Sequence, residues 1–415
     1  PITDALTWIE KTSLNNQFNT VKDENGQYLW ISKPGTDNGR IDVVSHVDVV
    51  SVDPSQWDHP PFSAKKVGSK IYARGAQDMK TQLWASYVAL RLLKELNIET
   101  KKEIRVVVGT DEERTMDDIR YYIEDEGLPD FAFTPDSKFP VCLGEMGVYT
   151  FEITSNLSSS VQSIQTYQSS NIVCDRVDLV LDPSIYSDQE IQEKLEEVSF
   201  RYDLEGNHLR IHGVAAHSSR PELGENALIH ALDFIAHQLQ EEWALELYAL
   251  FSDFRGKGLG LEPYYEPMGA PCVNASQIFL TETGALKVVV DIRYPAPLNR
   301  ATFDSIFNEK LVHFNFECTY DDPVTKTEMD NPYVQELLET SKHWLGDVGG
   351  PFYSGGVTYS KVFEGKCVAF GTHYANDGVA ERAHQANEYL DINRLPEYIG
   401  IFAEAMIRLA NCEGE

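Results

Sequence analysis

Four strand-like segments each lead into a residue able to hold a proton or a cation, and helical segments lie between them. Ile41 to Val50 is an apolar run with His46 and Asp48 near its end. Ser69 to Arg74 passes through Gly75 to Asp78, and the apolar run Ile104 to Val108 opens into Gly109-Thr-Asp-Glu-Glu-Arg114. Asp130 to Thr134 ends at Pro135-Asp136. A helix with Leu83, Tyr87, Leu90 and Leu93 on one face follows Lys80, and a shorter one is expected over Met116 to Glu126. Strands alternating with helices predict a parallel sheet whose strand ends lie along one edge, where open α/β sheets bind ligands. Taken singly, each signal is ordinary: Asp78 reads as a helix cap, and Glu112-Glu113 as a solvated acidic turn. Together they offer an imidazole and several carboxylates, a set suited to Zn, Mn or Co. His46 and Asp48, two apart on a strand, are expected to share one face, with Asp48 orienting the imidazole.

From about Gly144 the pattern changes to an α+β module. Strands are expected at Tyr149 to Ile153, Val177 to Leu181, His208 to His212 and Lys287 to Tyr294. Helices are expected at Asp188 to Val198, Glu225 to Glu241 and Thr302 to Val312. Parallel-sheet character resumes near residue 325, with Gly355-Gly356, a strand over Cys367 to Gly371, the His384 loop and a closing helix through Leu395 and Leu409. The domain reading is 1–144, an insert over 145–324, and a return over 325–415. A length of 415 residues suits this division, being too long for one ordinary core.

With 65 acidic against 35 basic side chains, the formal charge of −30 argues against nucleic acid or an anionic membrane as partner. No apolar run is long enough to span a bilayer. Pro1 to Ser13 reads as an amphipathic helix, unlike a signal peptide, with room for a short leader removed before it. The six scattered cysteines suggest idle thiols in a reducing, cytoplasmic setting.

The segments Ser45-His-Val-Asp-Val-Val50, Tyr72-Ala-Arg-Gly-Ala-Gln-Asp-Met-Lys80, Gly109-Thr-Asp-Glu-Glu113, Thr134-Pro-Asp136, Ala216-His-Ser-Ser-Arg-Pro221, Asp291-Ile-Arg-Tyr-Pro295 and Ala383-His-Gln-Ala-Asn-Glu388 occur in this order over nearly the whole chain. The set resembles the PepV-type dipeptidases of the Xaa-His dipeptidase and carnosinase branch. These are co-catalytic zinc metallopeptidases related to aminoacylases and succinyl-diaminopimelate desuccinylases. The resemblance implies an α/β catalytic domain with a mostly parallel sheet flanked by helices, interrupted by an inserted α+β lid domain. It implies two divalent metal ions, zinc in the first place with Mn or Co as alternatives. His46 and Asp136 would hold one ion, Glu113 and His384 the other, and Asp78 would bridge them, with a cis peptide after it.

The same resemblance makes Glu112 the general base and Asp48 the group that orients His46. His217 would polarise the scissile carbonyl, Arg293 would grip the substrate's C-terminal carboxylate, and Asn171 would lie near the substrate. Apart from the resemblance, Gly355-Gly356 with Thr358 and Tyr359 reads as a turn that lets backbone approach a peptide ligand. The implied reaction is hydrolysis of dipeptides with an unblocked N-terminus, by a monomer whose lid closes over the metal domain. An N-acyl-amino-acid deacylase or desuccinylase would share the metal ligands. A non-catalytic peptide-binding descendant is the remote alternative. The chain departs from the pattern at Ser51, Thr81-Gln82 and Cys174, none of them a ligand. His230 and His237 read as packing or surface residues, and His373 as a secondary candidate for a substrate contact.

Overall fold

Neighbouring residues on the central strands point to opposite faces of one sheet, and both faces are covered. Val43, Val106, Val108, Ile41, Ile104, Phe131 and Phe133 pack on one side with Leu83, Leu90, Phe402 and Met406. Val44, Val107 and Ala132 pack on the other with Ile119, Tyr122, Trp30 and Phe363. Strands buried on both faces read as unbroken apolar runs, and that is why these were visible in the sequence. The computed structural model describes residues 2–155, 160–281, 284–374, 377–380 and 382–414. The chain divides into two compact units, Pro1–Glu145 with Thr325–Glu415, and Met146–Val324.

In the first unit the sheet runs in the order Asn19–Lys22, Leu29–Lys33, Glu103–Gly109, Arg40–His46, Phe131–Thr134, Cys367–Ala369, Cys142–Glu145, Thr325–Lys326, with Phe352–Ser354 also on Cys142–Glu145. Its centre is parallel: Arg40–His46 pairs in parallel with Glu103–Gly109 and with Phe131–Thr134, which pairs in parallel with Cys367–Ala369. Antiparallel pairings flank this core. The C-terminal ends of the central strands therefore emerge side by side, with His46 in register opposite Gly109. The helix Thr81–Glu95 buries Leu83, Tyr87, Leu90 and Leu93 as its periodicity predicts. Asp117–Glu126, Pro332–Leu345 and Leu395–Asn411 complete the helical cover.

The cis peptide that the resemblance implies after Asp78 is present: Asp78 and Met79 have non-helical backbones, joined by that bond, ahead of the helix that starts at Thr81, so Asp78 does not act as the helix cap its local sequence suggests. One local feature differs from expectation. The strand bearing His46 ends at that residue, so Asp48 lies beyond it in extended chain instead of sharing a strand face.

The second unit is an antiparallel eight-stranded sheet, in the order Arg201–Glu205, His208–His212, Arg176–Leu181, Val161–Gln165, Cys272–Leu280, Leu286–Tyr294, Gly147–Ser155, Asn315–Asp322. Its core gathers Tyr149, Phe151, Phe251, Phe303 and Phe307, with the Phe151 and Phe307 rings 4.2 Å apart. The helix expected over Glu225 to Glu241 is shorter and broken. It runs as Ala227–Asp233, continues in a wider turn over Phe234–Gln238, and stops where Gln240 takes a positive φ of 60°. A further helix, Glu242–Phe251, follows. All six cysteines are unpaired. Among the described residues no helix is long and apolar enough to cross a membrane.

Candidate metal centre

Asp78 lies between two histidines. Its Oδ1 is 3.0 Å from His46 Nε2 and its Oδ2 is 2.9 Å from His384 Nε2. His46 also faces Asp136 Oδ2 at 3.5 Å and Glu112 Oε2 at 4.0 Å. His384 faces Glu113 Oε2 at 3.1 Å. The strand ends at His46, Gly109 and Thr134 thus deliver the imidazole, the glutamate pair and Asp136 to one place, as the alternating pattern predicts. His384 comes from the far end of the chain, on a loop where its own φ is 62°.

These residues fit cations. A tetrahedral ion with ligands at about 2.0–2.1 Å has ligand-to-ligand edges of roughly 3.3–3.4 Å. The contacts of 2.9–3.5 Å bracket that figure. Two overlapping groups, His46 with Glu112 and Asp136 and His46 with Asp78 and Glu113, bring ligand atoms within 4.8 Å of one another. His46 is fully buried, and its Nδ1 meets only acceptors of Asp48, the backbone oxygen at 3.2 Å and Oδ1 at 3.2 Å. The carbonyl takes the hydrogen bond, since Oδ1 has an ion-pair distance without hydrogen-bond alignment. A proton held on Nδ1 leaves the Nε2 lone pair facing the carboxylates, as a ligand requires. Glu112 Oε1 is buried and has no hydrogen-bond partner among the described residues.

The electrostatics agree. Burial pushes Glu112 well above the usual carboxylate range, and the charges of Asp136, Asp78 and Glu113 add to this against His46. Burial and the charge of Asp78 likewise raise Asp136. Burial opposes charge on His46, but the carboxylates of Asp136, Asp48 and Asp78, all within 3.5 Å, hold its pKa well above normal. His384 rises to about 10 through its bonds to Asp78 and Glu113. Its side chain is 48% exposed, so solvent screens part of that attraction. Burial works against the Asp78 charge, yet the two histidines drive its pKa down. Protons here do work that cations can do: the cluster gathers negative charge around a place that calls for positive charge.

His217 and Asn171 are neighbours in the second unit, through a bridge between Ile172 and His217 and a hydrogen bond from Ser218 N–H to Asn171 O at 2.9 Å. Ser219 N–H donates to His217 Nδ1 at 3.2 Å, which places the proton of the neutral ring on Nε2. Arg293 is buried, with Nε and Nη2 on the two oxygens of Asp291 at 2.9 and 3.3 Å. Gly355 and Gly356 form the turn after Phe352–Ser354, and a Cβ at Gly356 would meet only Ser354 Oγ, at 3.3 Å. His373 pairs with Asp377 at 3.1 Å.

Sequence reasoning missed the roles of Asp118, Tyr359 and Lys80. Tyr359 O–H donates to Asp118, and Lys80 Nζ is buried without a hydrogen-bond partner among the described residues, in the field of Glu388, Asp48, Asp78 and Glu113. Glu388 stood inside a quoted segment without a role. Its signal was a glutamate four residues after His384.

Residues 43–408 match the profile of peptidase family M20/M25/M40. A protein of Staphylococcus saprophyticus provisionally named a dipeptidase is 28% identical over 389 residues, covering 88% of this chain and 82% of its own. An M20 family metallo-carboxypeptidase from Sulfolobus solfataricus aligns with a TM-score of 0.59 at 18% identity, over 99% of this chain and 94% of that one. Human carnosine dipeptidase 1 aligns with a TM-score of 0.55 at 15% identity, over 99% of this chain and 91% of its own. At such identities the two structures speak for the fold, while the profile match spans most of the chain. That match agrees with the family to which the ordered segments point. The chain therefore belongs to peptidase family M20/M25/M40, a family of metal-dependent hydrolases of the peptide bond.

Proposed function

We propose that this chain hydrolyses dipeptides bearing a free N-terminus and a free C-terminal carboxylate, using two divalent ions, zinc in the first instance. The observation that carries the reading is Asp78, one oxygen of which faces His46 and the other His384. That is how a carboxylate shared between two ions is placed, with His46 and Asp136 on one side and Glu113 and His384 on the other. Charge supports more than one cation: the carboxylates of Asp48, Asp78, Glu112, Glu113 and Asp136 crowd around His46 and His384. The dipeptidase name of the staphylococcal relative supports the substrate class.

Bound ions would supply Lewis-acid activation of water and of the scissile carbonyl. Glu112, raised by burial and carrying a buried oxygen without a partner, takes the proton from the attacking water and returns it to the leaving amine. Asp48 keeps the His46 proton on Nδ1 and, through Oδ2, holds Glu113 N–H at 3.0 Å. His217, with its proton on Nε2, is suited to donate to a developing oxyanion. Arg293, aligned by Asp291, would grip the substrate carboxylate. The working species is proposed to be a monomer, which sedimentation of the loaded enzyme checks.

The test is a panel of dipeptides and N-acyl amino acids assayed on the purified protein, with and without chelator, beside Glu112→Gln and Glu113→Gln with metal analysis. Glu112→Gln is expected to keep its metal and lose about 10²–10⁴-fold in kcat. Glu113→Gln is expected to lose metal. Turnover that survives both chelation and Glu112→Gln would sink the mechanism, and preference for N-acyl amino acids would move the substrate class.

A further inference from the structure

Two buried acids outside the ligand set hold the turns that present it. Glu388 is fully buried, and both its oxygens are spent on the Asp78 turn. Oε1 accepts from Gln77 N–H at 2.6 Å and Asp78 N–H at 3.1 Å; Oε2 accepts from Arg74 Nη1 at 2.7 Å and Gly75 N–H at 3.1 Å. Backbone N–H groups converge on one anion because Gly75 takes φ +85° and Asp78 is non-helical. Glu388 lies four residues after His384, so it joins the segment bearing the shared carboxylate to the segment bearing its second histidine partner.

Asp118 does the same for the glutamate pair. It is 2% exposed, and its Oδ2 accepts from Thr110 N–H, from Asp111 N–H at 2.9 Å and from Tyr359 O–H. Its Oδ1 accepts from Ile119 N–H at 2.8 Å. The next two residues of that turn are Glu112 and Glu113.

We propose that Glu388 and Asp118 are positioning residues of the metal centre, Glu388 setting the Asp78-to-His384 spacing and Asp118 setting where Glu112 points. The proposal rests on the metallopeptidase reading of the site. An acid needed only to tie chain segments together would act on stability alone. A positioning acid acts on metal affinity or on kcat at equal stability.

Glu388→Gln and Asp118→Asn keep volume and lose one acceptor oxygen. Asp42→Asn is the matched control, a fully buried acid of the same unit bonded by Tyr122 O–H at 2.9 Å and outside the metal cluster. Co²⁺ is titrated by visible absorption, kcat and KM are measured on a dipeptide, and denaturant midpoints are taken on metal-free protein. Glu388→Gln is expected to weaken Co²⁺ binding about 10–100-fold with altered absorption bands. Asp118→Asn is expected to keep Co²⁺ affinity within about threefold and lower kcat at least tenfold at similar KM. Asp42→Asn is expected to shift the midpoint and neither of the other readouts. Arg74→Met and Tyr359→Phe each remove one donor from the same carboxylates, and are expected to move the same readouts about threefold to tenfold. They decide the matter should an acid variant not fold.

Wild-type Co²⁺ affinity in Glu388→Gln, or wild-type kcat in Asp118→Asn, overturns the proposal while the metal reading stands. So does an equal loss of function in Asp42→Asn. Absence of Co²⁺ binding by the wild-type protein removes the metal reading and this proposal with it.

Discussion

Adding a single methyl at Gly109 tests how tightly the glutamate turn is held. Gly109 ends the strand Glu103–Gly109 and stands in register with His46. Its φ is not in the left-handed region, so alanine suits the backbone and only space is at issue. A Cβ there would fall far inside contact distance of Tyr359 Oη and Asp118 Oδ2, and 2.7 Å from Tyr359 Cζ. Neither neighbour can retreat freely, since both are buried and hydrogen-bonded to each other. Overpacking of this kind costs about 1–3 kcal/mol. Pulling the tyrosine off the carboxylate forfeits a hydrogen bond to a charged group, about 1.5–3 kcal/mol more. Gly109→Ala is therefore expected to lose about 3–5 kcal/mol in equilibrium denaturation of the metal-free protein, and to lower kcat by displacing Glu112. The double variant Gly109→Ala/Tyr359→Phe removes the nearest oxygen and is expected to recover part of the loss, so the two changes will not add. A loss under about 1 kcal/mol with kcat within twofold of wild type would refute this account of the turn.

Glu145 gives a pH dependence. It is 1% exposed and burial lifts its pKa from 4.5 to about 7, against hydrogen bonds from Thr358 and the charge of Lys361. Because the folded pKa is the higher, its stabilising contribution is complete below pH 4.5 and is lost as pH rises through about 7. Glu145→Gln lacks that loss, so its stability relative to wild type is expected to rise by roughly 3 kcal/mol between about pH 4.5 and 8. A pH-independent difference in denaturant midpoint would contradict this. Arg293→Lys keeps the charge beside Asp291 and loses the planar fork. Its KM is expected to rise at least about tenfold more for free dipeptides than for C-terminally amidated ones. Equal effects on both would show that Arg293 serves Asp291 alone.

What could be read in the sequence follows from where each signal is local. The ligand-bearing strands were legible because burial on both faces makes them continuous apolar runs, and the helix after Lys80 because one face repeats. The Asn315–Asp322 strand was not, since exposed polar residues alternate along it and nothing marks it as sheet until its partner Gly147–Ser155 is known. Helix Glu242–Phe251 was not expected at all, because the break at Gln240 has no glycine or proline to announce a new element. Taken by its local sequence, Asp78 looks like a cap because the geometry of its turn depends on Glu388, distant in sequence, and only the ordered set of segments points to a shared ligand there. Residue types reveal which side chains can bind a cation. They do not reveal which buried acid holds the backbone beneath them.

Asp48 shows the same limit and gives a further test. The sequence assigns it one task, orienting His46. The structure adds a second, since Oδ2 accepts from Glu113 N–H at 3.0 Å while the His46 side is served by the backbone oxygen and Oδ1. Asn in its place offers one acceptor oxygen for two demands. If that oxygen serves Glu113, the amide N–H₂ turns on His46 Nδ1, donor against donor, and favours moving the ring proton to Nε2, where it blocks the lone pair facing Asp78 and Asp136. If it serves His46, Glu113 N–H is left without its acceptor and the ligand loosens. Either orientation damages the metal centre, so Asp48→Asn is expected to cost about 10–100-fold in Co²⁺ affinity or kcat. Values within about twofold of wild type would mean that the Asp48 carbonyl alone fixes the tautomer, and that its carboxylate could be dispensed with.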